Sequence, residues 1–72
     1  MRYQITYSYL ATGMEGRAQV EDYGVFEADS PAEACDKAVL ARHPVDEMYG
    51  PNKAWSTRDF VRRCLGAAPV EP

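Results

Sequence analysis

Seventy-two residues are enough for one domain, and a chain this short buries only ~60–65% of the surface its unfolded form exposes, which leaves no room for a large internal active-site cavity. The formal charge is −3 and 46% of residues are apolar, but no apolar run exceeds four residues, which excludes a membrane-spanning helix. The opening stretch MRYQITYSYL alternates apolar with polar instead of forming the continuous apolar block of a signal peptide, so the expectation is a cytosolic protein.

Residues 2 to 10 place Tyr3, Ile5, Tyr7 and Tyr9 on one face and Arg2, Gln4, Thr6 and Ser8 on the other. Period 2 with aromatic and β-branched residues predicts a half-buried strand. An aromatic stripe can also stack nucleobases, but nothing basic is interleaved here, and a small sheet needs one bulky face. Ala11 to Gly16 carries two glycines and no periodicity, which reads as a hairpin loop with Met14 exposed at its tip. A second strand is expected from about Arg17 to Ala28, with Ala18, Val20, Phe26 and Ala28 on one parity and Tyr23 and Val25 on the other. The parity break predicts a bulge or bend near Gly24 in a strand antiparallel to the first.

Val25 to Pro44 is the stretch where every local rule agrees. Ser30 is a preferred N-cap, Pro31 fits the first helical position, and Glu33 completes an S-x-x-E capping box. Ala34, Cys35, Ala38, Val39 and Ala41 form one stripe of small apolar side chains suited to close packing on a sheet. Arg42 and His43 suit the negative end of the helix, and Pro44 stops it.

From Pro44 to Trp55 the pattern dissolves into prolines, a glycine and an asparagine. Val45, Met48, Tyr49 and Trp55 in so short a segment are expected to be pinned to the core, with a short third strand allowed around Glu47 to Tyr49. Ser56 to Gly66 carries a second cap, Ser56 with Asp59, and apolar Phe60, Val61, Cys64 and Leu65 at helical spacing, with Gly66 just past the end. A strand over Phe60 to Leu65 is the competing reading, and its poor alternation favours the helix. Ala67 to Pro72 is expected to fray. The fold class is therefore α+β: an antiparallel hairpin packed on one capped helix, with a second short helix, in a single domain over residues 1–66 followed by a flexible tail at 67–72.

Catalysis finds little footing. His43 is the only histidine, and Cys35 and Cys64 fall on inward stripes, so neither a Cys/His pair nor a motif-spaced zinc site is expected. The thiols read as small hydrophobes, with a mutual disulfide as the alternative. No phosphate-binding glycine loop is present. The reading is a protein that is not an enzyme and has no cofactor or metal.

Charge is polarised along the chain. Glu15 to Asp36 holds seven acids against Arg17 alone, a net of −6, while Lys37 to the end has a net of +2. Glu21, Asp22, Glu27, Asp29, Glu33 and Asp36 thus form a candidate docking surface for a basic protein partner. Arg58, Arg62 and Arg63 are the converse candidate, a phosphate-contacting helix, although three arginines in an acidic chain make direct nucleic-acid binding the lesser expectation.

The run FEADSPAEACDKA, Phe26 to Ala38, is similar to a pattern of small phage and mobile-element proteins in which a turn enters an alanine-rich helix, and it resembles some anti-CRISPR proteins. The resemblance covers about a fifth of the chain, on structural residues. It implies a stoichiometric inhibitor in the bacterial host cytosol that binds a CRISPR–Cas effector subunit and blocks target DNA binding or nuclease recruitment. No functional residue transfers with it. The alternatives are a nucleic-acid-associated regulator using the arginines and a homodimeric accessory domain joined through an exposed strand edge.

Overall fold

The computed structural model describes residues 1–9 and 19–70. The readings that fall on 10–18, the glycine loop with Met14 and the start of the second strand, and on 71–72 lie outside them. The elements are β1 (Arg2–Tyr9), β2 (Gln19–Glu27), α1 (Pro31–Arg42), β3 (Met48–Tyr49), a 3-10 turn (Pro51–Lys53), β4 (Trp55–Ser56), α2 (Thr57–Arg63) and β5 (Leu65–Pro69). They make an α+β fold with an antiparallel sheet in the order β2-β1-β5 and a separate β3-β4 hairpin.

β1 runs down the middle of the sheet because its alternation serves both neighbours. Tyr3 stands opposite Phe26 and Pro69, Ile5 opposite Gly24 and Ala67, and Tyr7 opposite Glu21 and Leu65. The tyrosine and isoleucine face turns toward α1, where Tyr3, Ile5, Ala28, Ala34, Cys35 and Ala38 form the buried core, flanked by Tyr23, Phe26, Leu65 and Ala67. Small side chains on α1 let the helix settle close to the sheet, as the alanine stripe predicts. The stripe is shorter than expected: Ala34, Cys35, Ala38 and Val39 are buried, but Ala41 at the last turn is exposed.

The bulge forms where the parity broke. Ile5 pairs with Gly24 and Thr6 with Asp22, which leaves Tyr23 as the extra residue. Gly24 adopts φ +97, a conformation that suits glycine, and the Asp22 carboxylate accepts its N–H at 2.7 Å and also the Gln4 side-chain amide. One extra residue switches which parity points inward. Phe26 and Ala28 therefore face the core, Tyr23 joins them, and Val20, expected on the same inward side, is 63% exposed.

Both caps form. The Ser30 hydroxyl accepts the Glu33 N–H at 3.1 Å, and the Glu33 carboxylate reaches back to the Asp29 N–H at 3.4 Å. Ser56 accepts the Asp59 N–H at 3.2 Å and opens α2. α2 then closes on Cys64, so Gly66, expected as a helix terminator, is a strand residue instead. The tail reading changes for the same reason. Ala67 to Pro69 are in β5, hydrogen-bonded to β1, and Val70 donates to the Arg2 carbonyl at 2.9 Å. The pairing partner is about sixty residues distant in sequence, which is why no local rule shows it.

The two edges of the sheet differ. Along β2, Lys37 donates to the Glu27 carbonyl at 2.7 Å and Arg42 to the Asp22 carbonyl at 2.9 Å, so cations from α1 occupy outward-facing backbone groups. β5 has no such cover among the described residues. The sheet face opposite α1 carries Gln4, Thr6, Val25 and Ala68 with nothing described above it, and the Cα trace is only 14 Å across its thinnest dimension.

Candidate interaction surface

The six acids do not assemble into one docking face. Glu21 lies on the α1 side of the sheet within 3.7 Å of Arg42, and Asp22 is folded back on its own bulge. Glu33 serves the cap and stands 3.4 Å from Lys37, and Asp36 accepts from Arg62 at 2.7 Å. All of these pairs are solvent-exposed and stabilise little. Only the carboxylates of Glu27 and Asp29, at the end of β2 and just after it, have neither an ion pair nor a hydrogen bond among the described residues.

The arginines are dispersed in the same way. Arg58 donates through Nε to the His43 carbonyl at 2.7 Å and through its terminal nitrogen to the Pro44 carbonyl, which ties α2 to the end of α1. Arg62 holds Asp36 and the Ala32 carbonyl, the latter at 3.4 Å. Both line a cleft of about 370 Å³ between the helices, where Asp36 and Asp59 balance them. Arg63 alone of the three projects away, toward the β3-β4 hairpin. A helix with two of its three guanidiniums bonded inward is poorly set for tracking a phosphate backbone.

The surface that stands out is one the sequence reading sent to the core. Val45 is 73% exposed, Met48 42%, Tyr49 44%, Trp55 56% and Phe60 42%. A two-residue hairpin reversed by Gly50 and the 3-10 turn is too small to fold over its own aromatics, and β3 and β4 share no strand with the main sheet. Tyr49 packs edge-on against Trp55 with ring centroids 5.8 Å apart, and Phe60 stands edge-on to Tyr9 at 5.9 Å. Tyr9 in turn continues into Tyr7, Tyr23 and the Arg42 guanidinium, a row of ring contacts that anchors the patch to the sheet. Tyr49, Trp55, Phe60, Ser56, Asp59 and Arg63 line an open cleft of about 350 Å³.

The hairpin is fastened at its base. Asp46 accepts the Ser56 hydroxyl at 2.5 Å and the Arg58 N–H at 3.1 Å, while Thr57 donates its N–H to the Glu47 carbonyl at 3.1 Å. The Ser56 hydrogen bond first, then the Arg58 N–H, lowers the Asp46 carboxyl below its ordinary value. A depressed carboxyl contributes stability that is present above its unfolded value, near 4, and lost as pH falls through its folded one. Asp46→Asn is therefore expected to flatten the acid limb of the hairpin's stability profile below about pH 4, followed by the near-UV dichroism of Trp55. An unchanged acid limb would count against Asp46 as the fastening.

No family model, curated protein or solved structure matches this chain. The surface is accordingly judged on its own chemistry. Large exposed apolar patches mark interaction sites, and Trp, Tyr, Phe, Met and Arg are the side chains that dominate protein interfaces. Among the described residues no three His, Cys, Asp or Glu side chains converge as metal ligands, and no helix is long and apolar enough to cross a membrane. Cys35 is buried and Cys64 half-buried, both as free thiols. No motif could have located the patch. The nearest signal was two aromatics flanking the tight turn at Gly50–Pro51.

Proposed function

We propose that this chain acts by occupying a surface of another protein, with Tyr49, Trp55, Phe60 and Arg63 as its contact and no chemistry of its own. One observation carries the reading: a short chain with a small core leaves its only tryptophan and two further aromatics in water, on a rigidly fastened hairpin and a capped helix. Aromatics held in place lose little freedom on binding, and so contribute most of what they bury. Glu27 and Asp29 supply a secondary acidic contact that speeds encounter with a basic partner.

The partner class implied by the resemblance is a CRISPR–Cas effector subunit in a bacterial cytosol, and the corresponding activity is stoichiometric inhibition of target DNA binding or nuclease recruitment. Such effectors present basic, nucleic-acid-binding channels, which complements a chain of net charge −3. The nucleic-acid reading is less well supported because Arg58 and Arg62 are engaged within the fold.

Purified effector complexes of several types provide the test. The protein is expected to co-elute with one of them and reduce its target-DNA binding. Trp55→Ala should weaken that complex about thirtyfold or more while leaving thermal stability unchanged. If no effector retains the protein or loses DNA binding, the CRISPR assignment fails. If Trp55→Ala binds as tightly as the parent, the aromatic surface is not the contact.

A further inference from the structure

The open edge of β5 points to a second binding surface, independent of the aromatic one. Ser8 donates to the Cys64 carbonyl at 3.1 Å and Val70 donates to the Arg2 carbonyl at 2.9 Å. With the register of β1 against β5, these fix the even-numbered residues of β5 as the ones bonded to β1. Leu65, Ala67 and Pro69 therefore turn their backbone groups away from the sheet. Leu65 and Ala67 each present one N–H and one C=O, and Pro69 presents a C=O alone.

Nothing described covers these groups. α2 packs on α1 and β4 and does not run beside β5, and no described backbone partner meets the Leu65 or Ala67 N–H. The usual guards of an edge are also missing. β2 is bulged and has Lys37 and Arg42 on its carbonyls, whereas β5, LGAAP, carries no charge, no bulge, and a proline only at its end. Gly66 has no internal reason to be glycine: its φ is ordinary for any residue, and a Cβ added there meets nothing within 4 Å.

We propose that β5 pairs antiparallel with β5 of a second copy of this chain, about a two-fold axis at Gly66. That register puts Leu65 of each copy opposite Ala67 of the other, so each pair exchanges both of its N–H···O=C bonds and Pro69 falls outside the paired segment. The small side chains of Gly66 and Ala68 share the open face, and glycine at the axis allows the closest backbone approach. An isologous contact of this kind closes on itself, giving one continuous sheet in the order β2-β1-β5-β5-β1-β2 with both α1 helices on one side. The paired segment is short, so the dimer is weak and reversible.

Sedimentation of the full chain up to about 1 mM is the primary test, with the mass expected to rise with concentration. Gly66→Lys sets like charges face to face across the axis and should weaken association about tenfold or more with an unchanged melting temperature. Gly66→Cys, in a Cys64→Ser background, should cross-link between copies on mild oxidation faster than Val25→Cys on the guarded edge, since directly opposed strand positions suit a disulfide. A chain monomeric throughout, a Gly66→Lys variant that associates like the parent, or equal cross-linking at the two positions would overturn the proposal. So would loss of the dimer in Trp55→Ala, which would place the aromatic surface at the contact instead.

Discussion

Ile5→Ala is expected to cost about 3–4 kcal/mol and to lower the urea midpoint by ~2–3 M, enough to leave much of the population unfolded at moderate temperature. Ile5 is 0% exposed and the largest fully buried side chain described, at the centre of the central strand. Its cross-strand neighbours are Gly24 and Ala67 and the helix above it presents alanines, so only the larger side chains of the same cluster, Tyr3, Tyr23, Phe26 and Leu65, can shift toward the space. A cavity that collapses only in part puts the cost in the middle of the range for such truncations. A chain of this length starts from a total of only ~5–10 kcal/mol, so the fraction lost is large. Val20→Ala, on the open face, should change stability by less than about 0.5 kcal/mol. Equal effects at the two sites would mean that the core is not where Ile5 places it.

Gly50→Ala is expected to disable the aromatic surface while sparing the main sheet. Gly50 adopts φ +87 and ψ −177, a region open essentially to glycine alone. A Cβ there would stand 2.5 Å from Cε3 of Trp55 and 2.8 Å from its Cδ2, so the indole must move. Backbone strain of about 1–3 kcal/mol falls on a hairpin that shares no strand with the β2-β1-β5 sheet. The hairpin opens locally instead of pulling the core down with it. The near-UV dichroism of the single tryptophan should fall and partner binding with it, while the far-UV unfolding transition shifts by less than about 1 kcal/mol. An unaltered near-UV spectrum with full affinity would show that Trp55 is not held by this turn.

What the sequence made legible is what local chemistry decides. The alternation of β1, the two serine caps, the stop at Pro44 and the bulge near Gly24 are each set by a few adjacent residues, and each forms as expected. β5 was illegible because Leu65 to Pro69 has neither β-branched or aromatic side chains nor alternation. It becomes a strand because α2 delivers it to the free side of β1, whereas glycine and proline at Gly66 and Pro69 locally signal an end of structure. The acids misled for a related reason. Sequence shows their number, but only the bulge decides that Glu21 faces Arg42 and that Asp22 folds onto its own loop. The exposed aromatics are the clearest case. Apolar composition says that a side chain gains by burial, whereas the length of the hairpin carrying Tyr49 and Trp55 decides that nothing can be brought over them.

The hold of Lys37 and Arg42 on the carbonyls of β2 ties solubility to the docking of a single helix. Both cations come from α1, so a fluctuation that lifts α1 off the sheet uncovers a nine-residue strand edge at the same moment as the apolar face beneath. The species so produced offers unpaired backbone and bare core together, the combination from which aggregates nucleate. Substitutions that loosen α1, even those distant from any binding surface, should be felt first as loss of soluble protein on expression.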